Sequence, residues 1–212
     1  EIYTLSLHNA LPILPAGPSE VEVIADESAN PAFIAADFLS QAEHGVDSQA
    51  MLVTASESIV EPVMQAIREQ LDRLPRKEIT EKSLSHSRLI VLKDKQEVID
   101  FTNLYAPEHL IIQTTDYADI AGQVENAGSV FMGPYTPESA GDYASGTNHT
   151  LPTNGYAKAY SGVNLDSFIK KITFQEITAD GIRLLGGTIR TMAANEQLDA
   201  HKNAVTIRLN TL

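Results

Sequence analysis

The sequence contains neither cysteine nor tryptophan, and basic residues are few. Without cysteine, the chain can form neither a disulfide nor a thiolate metal site, so any metal must take histidine, carboxylate or amide oxygen ligands. Lysine and arginine number 15 against 28 aspartate and glutamate residues, which gives a net charge of −13. This balance argues against nucleic acid and anionic membranes as partners, because polyphosphate binding needs clustered basic residues.

A long apolar run is also lacking. No stretch approaches the roughly 18 residues of a membrane span, and the N-terminus has no basic region of the kind that begins a secretory signal. We therefore expect a cytoplasmic protein. The 212 residues, 43% of them hydrophobic and 20% charged, are typical of one large globular domain or of one domain with an appendage.

Strand-like and helix-like segments alternate between residues 21 and 133. The strand-like runs are apolar and rich in β-branched residues, and the segments between them carry helical periodicity. Asn30 followed by Pro31 marks a helix start. The pattern predicts an α/β fold, with a parallel, incomplete Rossmann-like sheet covered by helices on both faces. Five segments are predicted to be strands: 21–25, 50–55, 88–93, 110–114 and 129–133.

The C-terminal tail has a different character. Residues 167–178 predict a short helix and a strand, and residues 179–209 predict helix, with breaks at Gly186 and Gly187 and again near Asp199. This tail has little sheet to pack on, so we expect it to contact another domain or another subunit. Residues 1–13 fit no element, and we expect them to be foreign to the fold.

The run "ESAGDYASGTNH", residues 138–149, is polar and punctuated by glycine. It follows the last predicted strand, so we expect a functional loop at the carboxyl ends of the strands, where ligands of such sheets gather. Asp142 and His149 in this loop could complete a metal site. They could equally hydrogen-bond the loop to itself.

Three further positions leave alternatives open on spacing alone. Gln41 and His44 share a helix face and could hold one ion, or could be surface and capping residues. Glu108 and His109 could act together as an acid and a base, although an extended chain would point their side chains to opposite sides. The alternative is a turn that contains one partly buried histidine. His201 in the tail could be a capping or an exposed residue.

Together these stretches resemble the histidinol dehydrogenase family. The resemblance rests on "PAGPSEVEVIAD", "SQAEHGVDSQ", "YAPEHLIIQT", "GSVFMGPYTPESAGDYASGTNHTLPT" and "AHKNAVTIRLN", in the family's order and spacing. It runs over residues 14–212 and covers roughly the C-terminal half of a family chain. It implies oxidation of L-histidinol through L-histidinal to L-histidine in histidine biosynthesis, with one Zn²⁺ per subunit and NAD.

The resemblance also implies roles for individual residues. Glu108 and His109 are the implied acid/base pair. The implied metal ligands are Gln41, His44, Asp142 and His201. The implied substrate contacts are Ser19, Gln41, His44, His109, Asp142, His149, Glu196 and His201. No residue is assigned to NAD, whose contacts are expected in the N-terminal half of a family chain.

The family resemblance further implies a homodimer. Residues 14–162 would be the α/β catalytic portion, and residues 163–212 a swapped tail that completes the partner's site. Two alternatives remain at this point. One is a non-catalytic, metal-binding and self-associating fragment that lacks the NAD-binding half. The other is a related dehydrogenase of another small alcohol.

Overall fold

The structure, a computed structural model, describes residue 14 and residues 17–212. The described residues up to Ile169 form one compact unit, and Lys170–Leu212 form a second. The prediction that residues 1–13 are foreign lies outside the described residues. Within the described chain, no helix is long and apolar enough to cross a membrane.

The first unit is built on one parallel sheet of five strands. The strands are β1 (Glu20–Ala25), β2 (Gln49–Thr54), β3 (Arg88–Val91), β4 (His109–Gln113) and β5 (Ser129–Met132). Their order across the sheet is β3-β2-β1-β4-β5, and all four neighbouring pairs are parallel. The predicted parallel α/β fold is therefore confirmed.

Helices connect the strands and form the tail. They are α1 (Pro31–Ala42), α2 (Val60–Leu71), α3 (Lys77–Leu84), α4 (Lys95–Tyr105), α5 (Tyr117–Ala121), α6 (Glu138–Tyr143), α7 (Ala179–Asn195) and α8 (Asp199–Asn210), with short 3-10 turns at Glu57–Ile59, Tyr156–Lys158 and Leu165–Phe168. As predicted, α1 begins after Asn30, whose side chain accepts a hydrogen bond from the backbone N–H of Ala32.

Two apolar cores cover the two faces of the sheet. Val21 and Val23 of β1 pack in one cluster with α1 and α2. Ile24, which points to the other face, packs in a second cluster with α4 and α5. A parallel strand that is buried on both faces, as β1 is, has a nearly continuous apolar character. That character is the sequence signal from which this strand was predicted.

Four local predictions differ from the structure. Helix α3 was not predicted, and α6 occupies the first half of the polar run that was predicted to be a loop. In the described tail, residues 169–178 contain no strand. Helix α7 continues through Gly186 and Gly187, because Gly186 lies against Leu209 of α8 and needs no break. The predicted break before Asp199 is confirmed.

Candidate active site and cation cluster

The residues with predicted acid/base roles lie at the amino ends of β1 and β4. Glu108 lies in a bend directly before β4, and His109 is its first residue, while Ser19 directly precedes β1. In the sheet, Val21 of β1 pairs with His109. This group therefore lies at the amino edge of the sheet, opposite to the edge at which the polar run 138–149 leaves β5.

The Glu108 carboxylate is buried and held by two donors. Its Oε2 accepts hydrogen bonds from the Ser19 hydroxyl at 2.7 Å and from the Glu20 backbone N–H at 3.0 Å. Burial raises the pKa of Glu108 to about 7; the hydrogen bonds work against this rise, and the charges of Glu20 and Asp142 add to it. A carboxyl group with this pKa changes protonation near neutrality, as an acid/base group requires.

The His109 ring is oriented by the backbone carbonyl of Glu20, whose oxygen lies 3.1 Å from Nδ1. Because a carbonyl oxygen can only accept, Nδ1 carries the hydrogen and Nε2 keeps its lone pair. Within the described residues, Nε2 has no hydrogen-bond partner, and it lies 4.0 Å from Asp142 Oδ1. Burial lowers the pKa of His109, so the neutral ring is favoured.

Glu108 and His109 converge although they are neighbours in sequence. Glu108 Oε2 lies 3.5 Å from His109 Nδ1, and both side chains are buried. The expectation that they point to opposite sides is wrong, because Glu108 lies in a bend and strand alternation begins only at His109. The peptide groups of Glu20 contact both side chains, so the start of β1 sets their arrangement.

A second cluster adjoins this pair. His44, Glu138 and Asp142 each offer a ligand atom, and these atoms lie within 4.8 Å of one another. His44 is exposed, Asp142 is mostly buried and Glu138 is 1% exposed. Imidazole and carboxylate ligands suit a borderline cation such as Zn²⁺. The arrangement could therefore hold a divalent metal ion.

Gln41 lies in the last turn of α1 and has a fully buried amide, whereas His44 lies in a bend after the helix has ended at Ala42, so the two do not share a helix face as predicted. Gln41 is 0% exposed, and within the described chain neither Oε1 nor Nε2 has a hydrogen-bond partner. Leaving a buried amide unsatisfied is costly, so such a group needs a further partner. The amide oxygen is therefore available as a cation ligand, and this fits the ligand set that the family resemblance implies.

Asp142 reaches the amino edge because α6 runs back over the sheet. The chain leaves β5 at its carboxyl end, yet Gly141 of α6 packs directly on Phe131 of β5. A Cβ at Gly141 would lie 2.6 Å from Cε1 of the Phe131 ring, so only glycine permits this approach. The polar run thus begins at the carboxyl ends and delivers a carboxylate to the other edge.

Sequence reasoning gave Glu138 no role. Its carboxyl group is buried, and burial raises its pKa to about 9, with the negative charges of Asp142, Glu108 and Asp37 adding to the rise. A signal was present: Glu138 and Asp142 are four residues apart, which places them on one face of a helix. Predicting a loop for this run concealed that spacing.

The remaining predicted site residues are His149, in the first unit, and Glu196 and His201, in the second. His149 is exposed in a bend. Glu196 caps α7, and His201 lies in α8, so both belong to the second unit. Both are exposed in the structure. Their predicted roles in substrate and metal binding stay predictions.

Known proteins resemble this chain closely. A family model described as histidinol dehydrogenase matches residues 12–209. The histidinol dehydrogenase of Bacteroides thetaiotaomicron is 66% identical over 208 residues, which cover 98% of this chain and 49% of that protein. The chloroplastic histidinol dehydrogenase of Arabidopsis thaliana is 58% identical, with 94% of this chain and 43% of that protein covered.

A solved structure agrees with these matches. The crystal structure of histidinol dehydrogenase from Elizabethkingia anophelis superposes with a TM-score of 0.88 at 57% identity, covering 93% of this chain and 46% of that one. The chain thus spans about half the length of the relatives that it matches.

Proposed function

Since the chain belongs to the histidinol dehydrogenase family, we propose that it carries the acid/base pair and a metal site of an enzyme that oxidises L-histidinol through L-histidinal to L-histidine. The observation that carries this proposal is the buried pair of Glu108 and His109 beside the cluster of His44, Glu138 and Asp142. Acid/base groups next to a cation site are what a two-step alcohol oxidation needs.

His109 acts as the base of the first oxidation. Its Nδ1 hydrogen is directed to the Glu20 carbonyl, so the Nε2 lone pair accepts the hydroxyl proton as the carbinol carbon loses hydride. The lowered pKa of His109 keeps the ring neutral and ready to accept that proton. When bound, the cofactors supply hydride acceptance by NAD⁺ and orientation of the amino alcohol by Zn²⁺.

Glu108 acts in the second oxidation. Its pKa of about 7 leaves a large ionised fraction near neutrality, so the carboxylate takes a proton from the water that adds to the aldehyde. The hydrated aldehyde then loses a second hydride from carbon and a hydroxyl proton to His109, once that residue has released its first proton to solvent, and the carboxylic acid so formed ionises to the carboxylate product. Ser19 holds Glu108 in place for this step through its 2.7 Å hydrogen bond.

The proposed Zn²⁺ ligands are Gln41, His44, Asp142 and His201. The buried, unpartnered amide of Gln41 and the convergence of His44 and Asp142 support the first three. Substrate contacts of Ser19, His149 and Glu196 belong to the same proposal, as do those of the metal ligands and His109. The cytoplasmic location stays a prediction, since the Arabidopsis relative is described as chloroplastic.

We also propose a homodimer, with residues 14–162 as the catalytic portion and residues 163–212 as the tail that completes the partner's site. Apolar side chains exposed on the second unit support self-association: Leu184 is 82% exposed and Met192 59%. His201 and Glu196 would then act in the partner's site.

A hybrid enzyme tests the activity. In the Bacteroides thetaiotaomicron relative, residues 14–212 of this chain replace the matching segment, and NADH formation from L-histidinol is followed at 340 nm. We expect turnover close to that of the parent enzyme, and a loss of about 10²–10⁴-fold in the His109→Asn hybrid. A folded hybrid dimer without turnover, beside an active parent, would contradict the proposal; zinc binding by that hybrid would favour the non-catalytic alternative.

A further inference from the structure

We infer that Glu138 supplies a second carboxylate to the cation site formed by His44 and Asp142, a role that the family resemblance does not give it. This inference rests on the proposed metal site and adds a ligand to it. Glu138 would thereby balance the charge of the bound ion, and it would be one of the residues that set the affinity of the chain for a divalent cation.

Glu138 is buried among other acidic side chains and has no basic partner in the described chain. Its side chain is 1% exposed, and Oε2 has no hydrogen-bond partner within the described residues. The charged groups that act on it are three further acids, Asp142, Glu108 and Asp37. No lysine or arginine of the described chain forms an ion pair with these four acids. A bound cation would supply the positive partner that these acids lack among the lysines and arginines of the described chain.

The geometry places Glu138 among the ligands. It lies four residues before Asp142 on α6, so both carboxylates occupy one face of that helix. One ligand atom each from His44, Glu138 and Asp142 lies within 4.8 Å of the others. Glu138 is therefore close enough to His44 and Asp142 to share a bound cation with them.

The other proposed ligands leave positive charge that a second carboxylate can balance. Gln41 and a neutral His44 contribute no charge, so Asp142 alone would leave a bound divalent ion with one uncompensated positive charge. With Glu138 the ion and its ligands from this unit are neutral overall. A neutral set is strongly favoured where ligands are as buried as Gln41 and Glu138, which are 0% and 1% exposed.

Zinc titration calorimetry on the full chain tests the inference. We expect Glu138→Gln to weaken Zn²⁺ binding at least 10–100-fold, and Asp142→Asn, which removes a ligand of the proposed site, to weaken it at least as much. Asp37→Asn is the matched control: Asp37 is also a buried acid near Glu138, but its carboxylate accepts a hydrogen bond from Gln113 and lies outside the cluster. We expect this control to change the affinity less than threefold.

Thermal unfolding without metal separates binding from folding. Glutamine is the uncharged isostere of the protonated glutamic acid that the metal-free fold favours, so the metal-free variant should unfold close to the wild-type temperature. If Glu138→Gln does not fold, Glu138→Asp keeps the charge on a shorter side chain, and weaker binding by this folded variant supports the inference. Unchanged affinity in Glu138→Asp overturns it in that case.

The outcomes distinguish this inference from the proposed function. If the wild type binds zinc, Asp142→Asn loses it and Glu138→Gln binds as tightly as the wild type, the metal site stands and the role of Glu138 is overturned. If the wild type binds no zinc, both the metal site and the role of Glu138 are overturned. Equal weakening by Asp37→Asn and Glu138→Gln would also overturn the inference, because general charge would then explain the effect.

Discussion

At the residue scale, the start of β1 arranges Glu108 and His109, the proposed acid/base pair. The Glu20 N–H donates to Glu108, and the Glu20 carbonyl accepts from His109. The side chain of Glu20 points away and is held by the backbone N–H of Asn154 and the hydroxyl of Tyr105. Backbone groups cannot be changed by substitution without moving the strand, so their roles are best tested through the side chains that cooperate with them.

Ser19→Ala should raise the pKa of Glu108. The Ser19 hydroxyl donates to the carboxylate and so stabilises its charged form, and its loss favours protonation. In ¹³C NMR titration of the Glu108 carboxyl, we expect the midpoint to move upward from about 7. Ser40→Ala, which removes a hydroxyl bonded only to the Asp37 carbonyl, is the control and should leave the midpoint unchanged. A midpoint equal in both variants and the wild type would show that Ser19 does not set this pKa.

At the element scale, close packing at a glycine accompanies each of two helices that the sequence pattern did not predict correctly. Helix α6 has few apolar residues, so it lacks the periodicity by which helices are predicted, and its place depends on Gly141 against Phe131. Helix α7 contains two adjacent glycines, which normally indicate a break. Gly186 packs against Leu209, while Gly187 is exposed.

The two glycines of α7 should respond in opposite directions to the same substitution. A Cβ at position 186 would lie 2.7 Å from Leu209 Cδ1, so Gly186→Ala should destabilise the packing of α7 on α8 by about 1–2 kcal/mol. Position 187 has no atom within 4 Å of such a Cβ, so Gly187→Ala should stabilise the helix by about 0.5–1 kcal/mol. Urea unfolding followed by circular dichroism measures both. Equal effects of the two variants would mean that Leu209 does not approach Gly186 in solution.

At the scale of the whole molecule, acidic side chains are found in the core as well as on the surface. Glu22 of β1 is 0% exposed, and its Oε1 accepts a hydrogen bond from Thr102. Burial raises the pKa of Glu22 to about 8, above its ordinary value of 4.5. The pKa values of Asp37, Glu108 and Glu138 are raised as well, each chiefly by burial. The metal-free fold therefore favours protonated acids.

Stability without metal should fall as the pH rises from about 5 to 8. A carboxyl group whose pKa is raised by folding binds its proton more tightly in the folded state, so its contribution is complete below the unfolded value of 4.5 and is lost as the pH passes the folded value. Glu22→Gln should remove about 2–4 kcal/mol of this pH dependence. Unfolding temperatures of wild type and variant at pH 5.5, 7 and 8 provide the measurement. Parallel curves for the two proteins would contradict the assignment to Glu22.

The sequence by itself determined the architecture of the sheet. Nearly continuous apolar strands alternating with amphipathic helices favour a parallel sheet covered on both faces, and all five strands predicted for this sheet are present, whereas the strand predicted in the tail is not. The start of α1 at Asn30 was equally predictable, because a capping side chain bonds to a backbone group two residues away. The family was also evident from its motifs. The strand, helix and capping signals each depend on residues that are close together in the sequence, and the family motifs depend on the order in which residues occur along it.

Only the tertiary structure decided where the site lies and which side chains share it. Ser19 bonds to Glu108 across 89 positions of sequence, and Asp142 reaches His109 because α6 folds back over β5. Such contacts depend on the order of the strands in the sheet and on close packing at single glycines. Neither can be predicted from the local periodicity of the sequence. For the same reason Glu138 entered the cluster unforeseen, since its burial among other acids exists only once the helix has packed against the sheet.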